Sequence, residues 1–427
     1  MPSALLLLAQ IAVILLCARV VGRALGYIGQ PKVVGEMVAG IMLGPSLLGW
    51  LAPGVSSTLF PAGSLGFLNA LSQVGLLFYM FLVGLELDPK LIRGRGHATV
   101  VTSHASIVAP FFLGAVLALL LYPRLSDTSV TFTGFALFMG AAMSVTAFPV
   151  LARILQERGL TKTKLGAVAI ACAAVDDVSA WCILAAVVLI VRSAEPSIPI
   201  PFMVVGSVLF VLVMVTVVRR LLSRLEKTYV KWGGKLSQDR IAAVVFLVLA
   251  SGWMTEWLGV HAVFGAFLAG AVMPKGEGFV REFRDRFEDV MVVVFLPIFF
   301  AFTGLRTSIG LISGDLWGYL ALIMLVAVSG KLAGCALAAR ASGMPWRESL
   351  ALGTLMNTRG LMELVILNVG YDIGVISPAL FAMMVLMALV TTFMTTPVLE
   401  WVYPARLRQA NEAPAVSDLA PARAAHG

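Results

Sequence analysis

Two adjacent acids, Asp176 and Asp177, lie near the middle of a run from Leu165 to Val191 that carries no other charge. A lone lysine, Lys331, sits in a second apolar run, from Leu316 to Ala339. Charge in the centre of a bilayer costs at least about 2.5 kcal/mol per group, so each such residue is a candidate for function. Two neighbouring carboxylates repel when both are ionised, and one of them is expected to trade a proton for a hard monovalent cation. Successive residues on a helix point about 100° apart. One acid can then face an ion cavity while the other faces Lys331. Lys331 reads either as a counter-charge released when the cation binds or as a permanent bridge holding the fold.

Two segments look like interrupted helices that could line such a site. The first contains Ser144-Val145-Thr146-Ala147-Phe148-Pro149. Its proline removes a backbone donor and disfavours helix at Phe148. The second contains Thr354-Leu355-Met356-Asn357-Thr358-Arg359-Gly360. Irregular backbone at membrane depth survives only beside a cavity or buried in protein, and half-helix ends there can coordinate ions. Ser144, Thr146, Asn357 and Thr358 are therefore candidate lining residues. Arg359 and Glu363, four apart, either neutralise each other or offset half-helix dipoles; both options make them structural charges. One of the two acids, Asp176 or Asp177, is the candidate ligand of the monovalent cation. No residue pattern calls for a resident cofactor.

The elements that must position these residues follow from composition. The chain has 427 residues, 59% hydrophobic and only 13% charged, with a mean hydropathy of +0.95. Soluble domains carry about 25% charged residues. A bilayer is the natural solvent, which excludes a soluble enzyme, a nucleic-acid binder and a disordered protein. Cys17, Cys172, Cys182 and Cys335 lie in apolar runs without CxxC spacing and read as small hydrophobes. The fold class is an all-α polytopic membrane protein. Thirteen transmembrane segments are expected at 3–25, 31–48, 66–86, 98–121, 132–155, 164–192, 201–222, 240–257, 260–273, 288–306, 316–339, 348–369 and 377–402, the second and ninth being short. The first is read as a retained helix, since no basic residue precedes it.

With the amino end outside, nearly all of the 31 Lys and Arg fall in inner loops and helix ends. Arg124, Arg192 and Arg306 fall outside, and Lys331 and Arg359 inside helices. This is the positive-inside pattern, so the net charge of +8 is an orientation signal. The expectation is an integral protein of a cell (inner) membrane, amino end outside, with a cytoplasmic, disordered tail at 404–427. Segments 4–6 and 11–13 form two three-helix units, each with a broken middle helix, and they enter from opposite sides. Inverted repeats with two broken crossing helices are the architecture of alternating-access transporters. His97, His104 and His261 lack paired ligand spacing and read as core or interface residues. Thr391, Thr392, Thr395 and Thr396 are expected mainly to bond their own or a neighbouring helix.

The chain resembles the monovalent cation:proton antiporter superfamily, in the branch of paired-aspartate and plant-type CHX exchangers. The matching stretches are Val34-Gly35-Glu36 through Gly44-Pro45-Ser46, Gly84-Leu85-Glu86-Leu87-Asp88, Ala174 through Trp181, Leu296-Pro297-Ile298-Phe299-Phe300 with Gly304-Leu305, and Met356 through Leu364. The resemblance implies exchange of Na⁺ or K⁺ for protons by a homodimer, and no enzyme activity. It implies that Asp177 carries ion and proton, that Asp176 pairs with Lys331, and that the breaks at Thr146 and Asn357 lie near the site. It implies a mobile core from 97–193 and 316–403, and a scaffold or dimer domain from 1–96 and 194–315. Kef-type relatives carry a nucleotide-binding domain or replace the first acid; this chain keeps both acids, and no such domain is expected. A sodium-coupled solute symporter and a cation channel are the competing readings. An intramembrane aspartyl protease is disfavoured, because its acids should come from different helices.

Overall fold

The computed structural model describes residues 4–86, 97–126, 130–161, 163–192, 200–224 and 237–404. The tail expected to be disordered lies almost wholly outside them, as does much of the basic loop at 219–240. In chain order the helices are α1 (Ala4–Tyr27), α2 (Lys32–Leu43), α3 (Leu48–Leu51), α4 (Pro53–Leu59), α5 (Leu65–Glu86), α6 (His97–Leu125), α7 (Phe132–Ser144), α8 (Phe148–Glu157), α9 (Lys164–Arg192) and α10 (Ile200–Val213). There follow α11 (Gln238–Trp257), α12 (Ala262–Ala271), α13 (Glu277–Val290), α14 (Leu296–Leu305), α15 (Leu316–Val328), α16 (Gly334–Ala341), α17 (Trp346–Met356), α18 (Leu361–Asp372) and α19 (Pro378–Val402). One isolated bridge, Ser126 with Ile376, is the extended pairing among them.

Among the described residues, eleven helical stretches are long and apolar enough to cross a membrane, or twelve when α17 and α18, bent by 43°, count as one. The expected segment at 260–273 is the exception. Its helix, α12, has 10 residues and rises only about 15 Å. That is half of a hydrocarbon core of about 30 Å. At 14 residues the apolar run is itself short of a full span, and the helix takes up 10 of them, starting after His261, whose ring accepts the N–H of Val263.

Three π-turns interrupt otherwise continuous spans: Met214–Val218, Met291–Phe295 and Ser329–Ala333. The last carries Lys331 into the interior from a helix in which Ile323 and Ala327 are the fully buried residues. π-turns insert an extra residue and re-aim side chains, often at functional sites.

Glycine lets helix backbones touch. A Cβ on Gly40 would lie 2.2 Å from the Phe300 carbonyl, and one on Gly84 2.1 Å from that of Phe267, so α2 packs on α14 and α5 on α12. In the other half of the molecule, a Cβ on Gly140 would lie 2.9 Å from the Phe111 carbonyl, and one on Gly353 2.5 Å from that of Leu332. Such backbone contacts join α1, α2, α5, α11, α12 and α14 among themselves, or α6, α7, α16, α17 and the π-turn at Ser329–Ala333 among themselves. None crosses between the two sets among the described residues. Across that boundary the polar contacts are made by side chains. The Arg158 guanidinium donates to the Gly29 carbonyl at 3.0 Å, and the Gln30 amide to that of Phe393 at 3.1 Å. At the other end Arg306 pairs with Asp372, donates to Asn368 at 3.0 Å and lies over the Tyr371 ring. Asn368 in turn donates to the Thr303 hydroxyl.

Candidate functional site: two acids at a crossing of broken helices

The chain leaves helix twice at the same place. Between α7 and α8, residues 145–147 are extended, and Pro149 sits in the first turn of α8, where its missing N–H costs nothing. Between α17 and α18, Gly360 adopts φ +153°, and a Cβ there would meet the Val150 side chain at 2.9 Å. That conformation is open essentially to glycine alone. The two breaks bond each other. The Ala147 N–H donates to the Thr358 carbonyl at 3.0 Å, and the Thr146 hydroxyl lies 2.9 Å from the Met356 carbonyl. Each crossing strand thereby satisfies backbone that has no helical partner.

Arg359 closes the exposed end of α7. Its guanidinium donates to the Ala142 and Met143 carbonyls at 2.7 Å each and to Glu363 at 2.6 Å. Glu363 occupies the first turn of α18, where a carboxylate suits the positive end of the helix dipole. Both side chains are fully buried. The Thr392 hydroxyl holds the backbone of Arg359, at 3.1 Å from its N–H and 2.8 Å from its carbonyl.

Asp176 lies in a dense set of donors. Lys331 Nζ is 2.8 Å from its Oδ2 and 2.7 Å from the Thr146 hydroxyl. Thr146 Oγ1 is 2.9 Å from the same Oδ2, and the Ser106 hydroxyl is 2.9 Å from Oδ1 and 3.0 Å from Oδ2. Ser103 adds a longer contact of 3.4 Å. Asp177 is the opposite case. It is 1% exposed, yet neither carboxyl oxygen has a hydrogen-bond partner among the described residues. The Phe148 backbone N–H at the start of α8 faces it without closing a bond. The positive end of a half-helix is thus aimed at the bare acid.

A model of the family "Sodium/hydrogen exchanger, transmembrane" matches residues 11–402. The chain belongs to this family. It is 45% identical, over 94% of its length and 98% of the relative's, to the Na⁺/H⁺ antiporter NhaS4 of Synechocystis. It is 41% identical to the cation/H⁺ antiporter 17 of Arabidopsis thaliana and 35% to the K⁺/H⁺ antiporter 1 of Saccharomyces cerevisiae, over 93% of the chain in each case. The chain spans about half the length of these two relatives, 48% and 46%. Its fold is that of the solved sodium proton antiporter MjNhaP1 of Methanocaldococcus jannaschii, with a TM-score of 0.59 at 15% identity, covering 94% of this chain and 97% of the other.

In this exchanger-family chain, the expected residues gather unevenly. Asp176, Lys331 and Thr146 form one hydrogen-bonded group, and Arg359 with Glu363 a second. Asn357 is buried with its Oδ1 unpartnered, and Thr358 contacts Thr395 at 3.5 Å. Ser144 does not join Asp176; its hydroxyl is spent on the Ala141 carbonyl. Of the threonines, Thr391 and Thr395 bond their own helix. His104 is exposed, and the side chain of His97 lies outside what is described. Thr392 bonds both its own helix, at Ala388, and the neighbouring break, at Arg359, whereas Ser103 and Ser106 were not singled out. The spacing of Ser103 and Ser106, three apart on one helix face, was the available signal.

A cavity of about 830 Å³ opens beside the crossing. Its wall includes Phe148 and Leu361, at the starts of α8 and α18, and Tyr79. Its mouth carries Glu86, Arg153, Glu157, Arg284 and Glu288. Among the described residues no cluster of three or more His, Cys, Asp or Glu is arranged to hold a metal.

Proposed function

We propose that the chain exchanges a monovalent cation, Na⁺ or K⁺, for protons across a membrane by alternating access, with Asp177 as the carrier. The observation that carries this reading is the charge balance at the crossing. Asp176 is matched by Lys331 and Glu363 by Arg359, while Asp177 has no counter-charge. An uncompensated buried charge is strongly unfavourable. Asp177 is therefore stable either with a proton or with a cation, and one carboxylate cannot hold both. That competition is exchange in its simplest form. The Asp176–Lys331 pair stays neutral as a unit and orients the helix that carries the working acid. The reading assigns the chain no covalent step, and family members are transporters.

Alternating access needs two bodies. The backbone-to-backbone glycine contacts support a core of 97–193 and 316–403 moving against a scaffold of 1–96 and 194–315. Side-chain bolts such as Arg306 with Asp372 can break and reform where glycine-welded backbones cannot. The cavity lies at one end of this boundary and the Arg306 cluster at the other, as expected for access open to one side. The scaffold also offers the surface for a homodimer.

Thirteen crossings, with the amino end outside and the carboxyl end cytoplasmic, remain the preferred topology. Lys275 supports it. Its ammonium donates to the Gly84 and Leu85 carbonyls at 2.9 and 2.8 Å, so residue 275 and the end of α5 share one membrane side. An even number of crossings must lie between them. Helices α6 to α11 with their continuations provide five, and α12 with its non-helical flanks supplies the sixth.

The test is the collapse of a pH gradient in proteoliposomes against a series of alkali cations. Collapse on adding Na⁺ or K⁺ alone is expected. Collapse that demands an organic solute, or cation flux without proton flux, overturns the reading in favour of a symporter or a channel.

A further inference from the structure

The cavity is walled by both bodies. One face of α5 runs along it: Tyr79, Leu82, Val83 and Glu86 follow the i, i+3, i+4, i+7 spacing of a single helical face. Seven residues place Tyr79 about 10 Å deeper than Glu86. At the mouth, the carboxylates have basic partners. Arg284 lies 3.7 Å from Glu86 and 3.4 Å from Glu288, and Arg153 lies 3.1 Å from Glu157. Between mouth and crossing the wall is apolar, with Val33, Val83, Val292 and Leu296. Tyr79 shares this wall with Phe148, whose backbone N–H faces Asp177, and with Leu361. No hydrogen bond among the described residues takes the Tyr79 hydroxyl, although its ring packs into two hydrophobic clusters.

We infer that Tyr79 is a cation ligand of one access state only. Its hydroxyl oxygen completes the shell of the ion, directly or through one water, while Asp177 faces this cavity. This rests on the exchange reading above and on the core carrying Asp177 past a fixed scaffold. Hard cations take oxygen ligands, and Asp177 brings two that nothing else uses. Asp177 travels with the core, whereas Tyr79 belongs to α5, which is packed backbone to backbone on α12 through Gly84. When the core moves, the ion leaves the phenol behind. The two faces of the protein then bind the same cation with different shells and different affinities. Tyr79 thereby sets a sidedness that the carrier acid alone cannot.

The test is Tyr79→Phe, which keeps the ring and its packing and removes one oxygen. Initial exchange rates are measured against cation concentration in right-side-out and everted vesicles, so that each face has its own KM. Labelling of Thr161→Cys, a residue of the cavity wall, identifies the cavity face. We expect KM to rise about 3- to 10-fold on that face, the size of one neutral polar contact. KM on the other face and the melting temperature should be unchanged. An equal rise on both faces, or no rise on either, overturns the inference. Absence of cation-dependent proton flux in the unmodified protein would instead refute the exchange reading beneath it.

Discussion

Asp176 and Asp177 are joined by one peptide bond, and their surroundings have almost nothing in common. Around Asp176, a lysine and three hydroxyls converge from α6, from the first helix break and from the π-turn at Ser329–Ala333. Around Asp177 there is a bare carboxylate and the start of one half-helix. The 100° step of a helix is the whole cause of the difference. One residue turns into packed side chains, its neighbour towards the crossing beside the cavity. A saturated acid holds a structure together, and an unsaturated one waits for a partner. The comparison teaches that charge type alone does not name a carrier; the tally of its hydrogen-bond partners does.

The largest expected effect is on the bare side. Asp177→Asn removes the group that protons and cations compete for, so exchange should fall to the background of empty vesicles at every pH. The protein should remain folded, because no hydrogen bond is lost. It could melt higher, since working sites are kept at a cost in stability. Wild-type exchange in Asp177→Asn would break the comparison outright. Loss of exchange in Asp176→Asn, with Asp177→Asn active, would reverse the two roles.

The saturated side should answer through stability. Lys331→Ala or Asp176→Leu alone leaves one buried charge without its partner, a loss of about 3–5 kcal/mol for a buried pair. Replacing both together with neutral residues should restore most of it, because a buried pair is often no better than a matched apolar one. Thermal unfolding of both singles and the double closes the cycle. In Lys331→Ala a proton can stand in for the ammonium on Asp176, so exchange should survive in weakened form with altered pH dependence. A double variant no more stable than its singles would show that the pair is not coupled as the 2.8 Å contact indicates.

Much of this was legible in the sequence, for a physical reason. Charge is so costly in hydrocarbon that Asp176, Asp177, Lys331, Arg359 and Glu363 stand out from apolar runs without any structure. Pro149 and Gly360 announce the breaks in the same way, one by a missing donor and the other by a conformation few residues accept. What stayed hidden was what costs little in sequence. Ser103 and Ser106 resemble any membrane hydroxyl that bonds its own helix, as Ser144 does. The π-turn at Lys331 leaves no compositional mark. The apolar run at 260–273 was short for a span from the start, and only 10 of its residues are helical. Tyr79 is one aromatic among many until the cavity beside it is seen.

A smaller effect should come from Ser106→Ala. This hydroxyl lies within 3.0 Å of both oxygens of Asp176. A hydrogen bond to a charged group contributes about 1.5–3 kcal/mol. Thermal unfolding should show a loss in that range. The cation KM should stay near the wild-type value, because the serine does not touch Asp177. A change in KM with unchanged stability would mean that the two halves of the comparison are not separate.

The smallest effect sharpens the comparison most, because it comes from a residue on the same helix face with nearly the same chemistry. Ser103 Oγ stands 3.4 Å from Asp176 Oδ1 and 3.5 Å from the Cys172 carbonyl. Both distances exceed the 2.5–3.0 Å of a good hydroxyl hydrogen bond. Its single proton can serve only one acceptor at a time. Asp176 already has Lys331, Thr146 and Ser106 at 3.0 Å or less, so it gains little from a fourth, distant donor. Ser103→Ala should therefore cost no more than about 0.5 kcal/mol, the lower end of a net hydrogen bond. The ratio of the two serine variants is the informative quantity, since both lose the same atom from the same helix. A Ser103→Ala loss as large as that of Ser106→Ala would mean that Asp176 is short of donors and that Ser103 closes on it in the membrane. The contrast between a saturated and an unsaturated acid would then be one of degree.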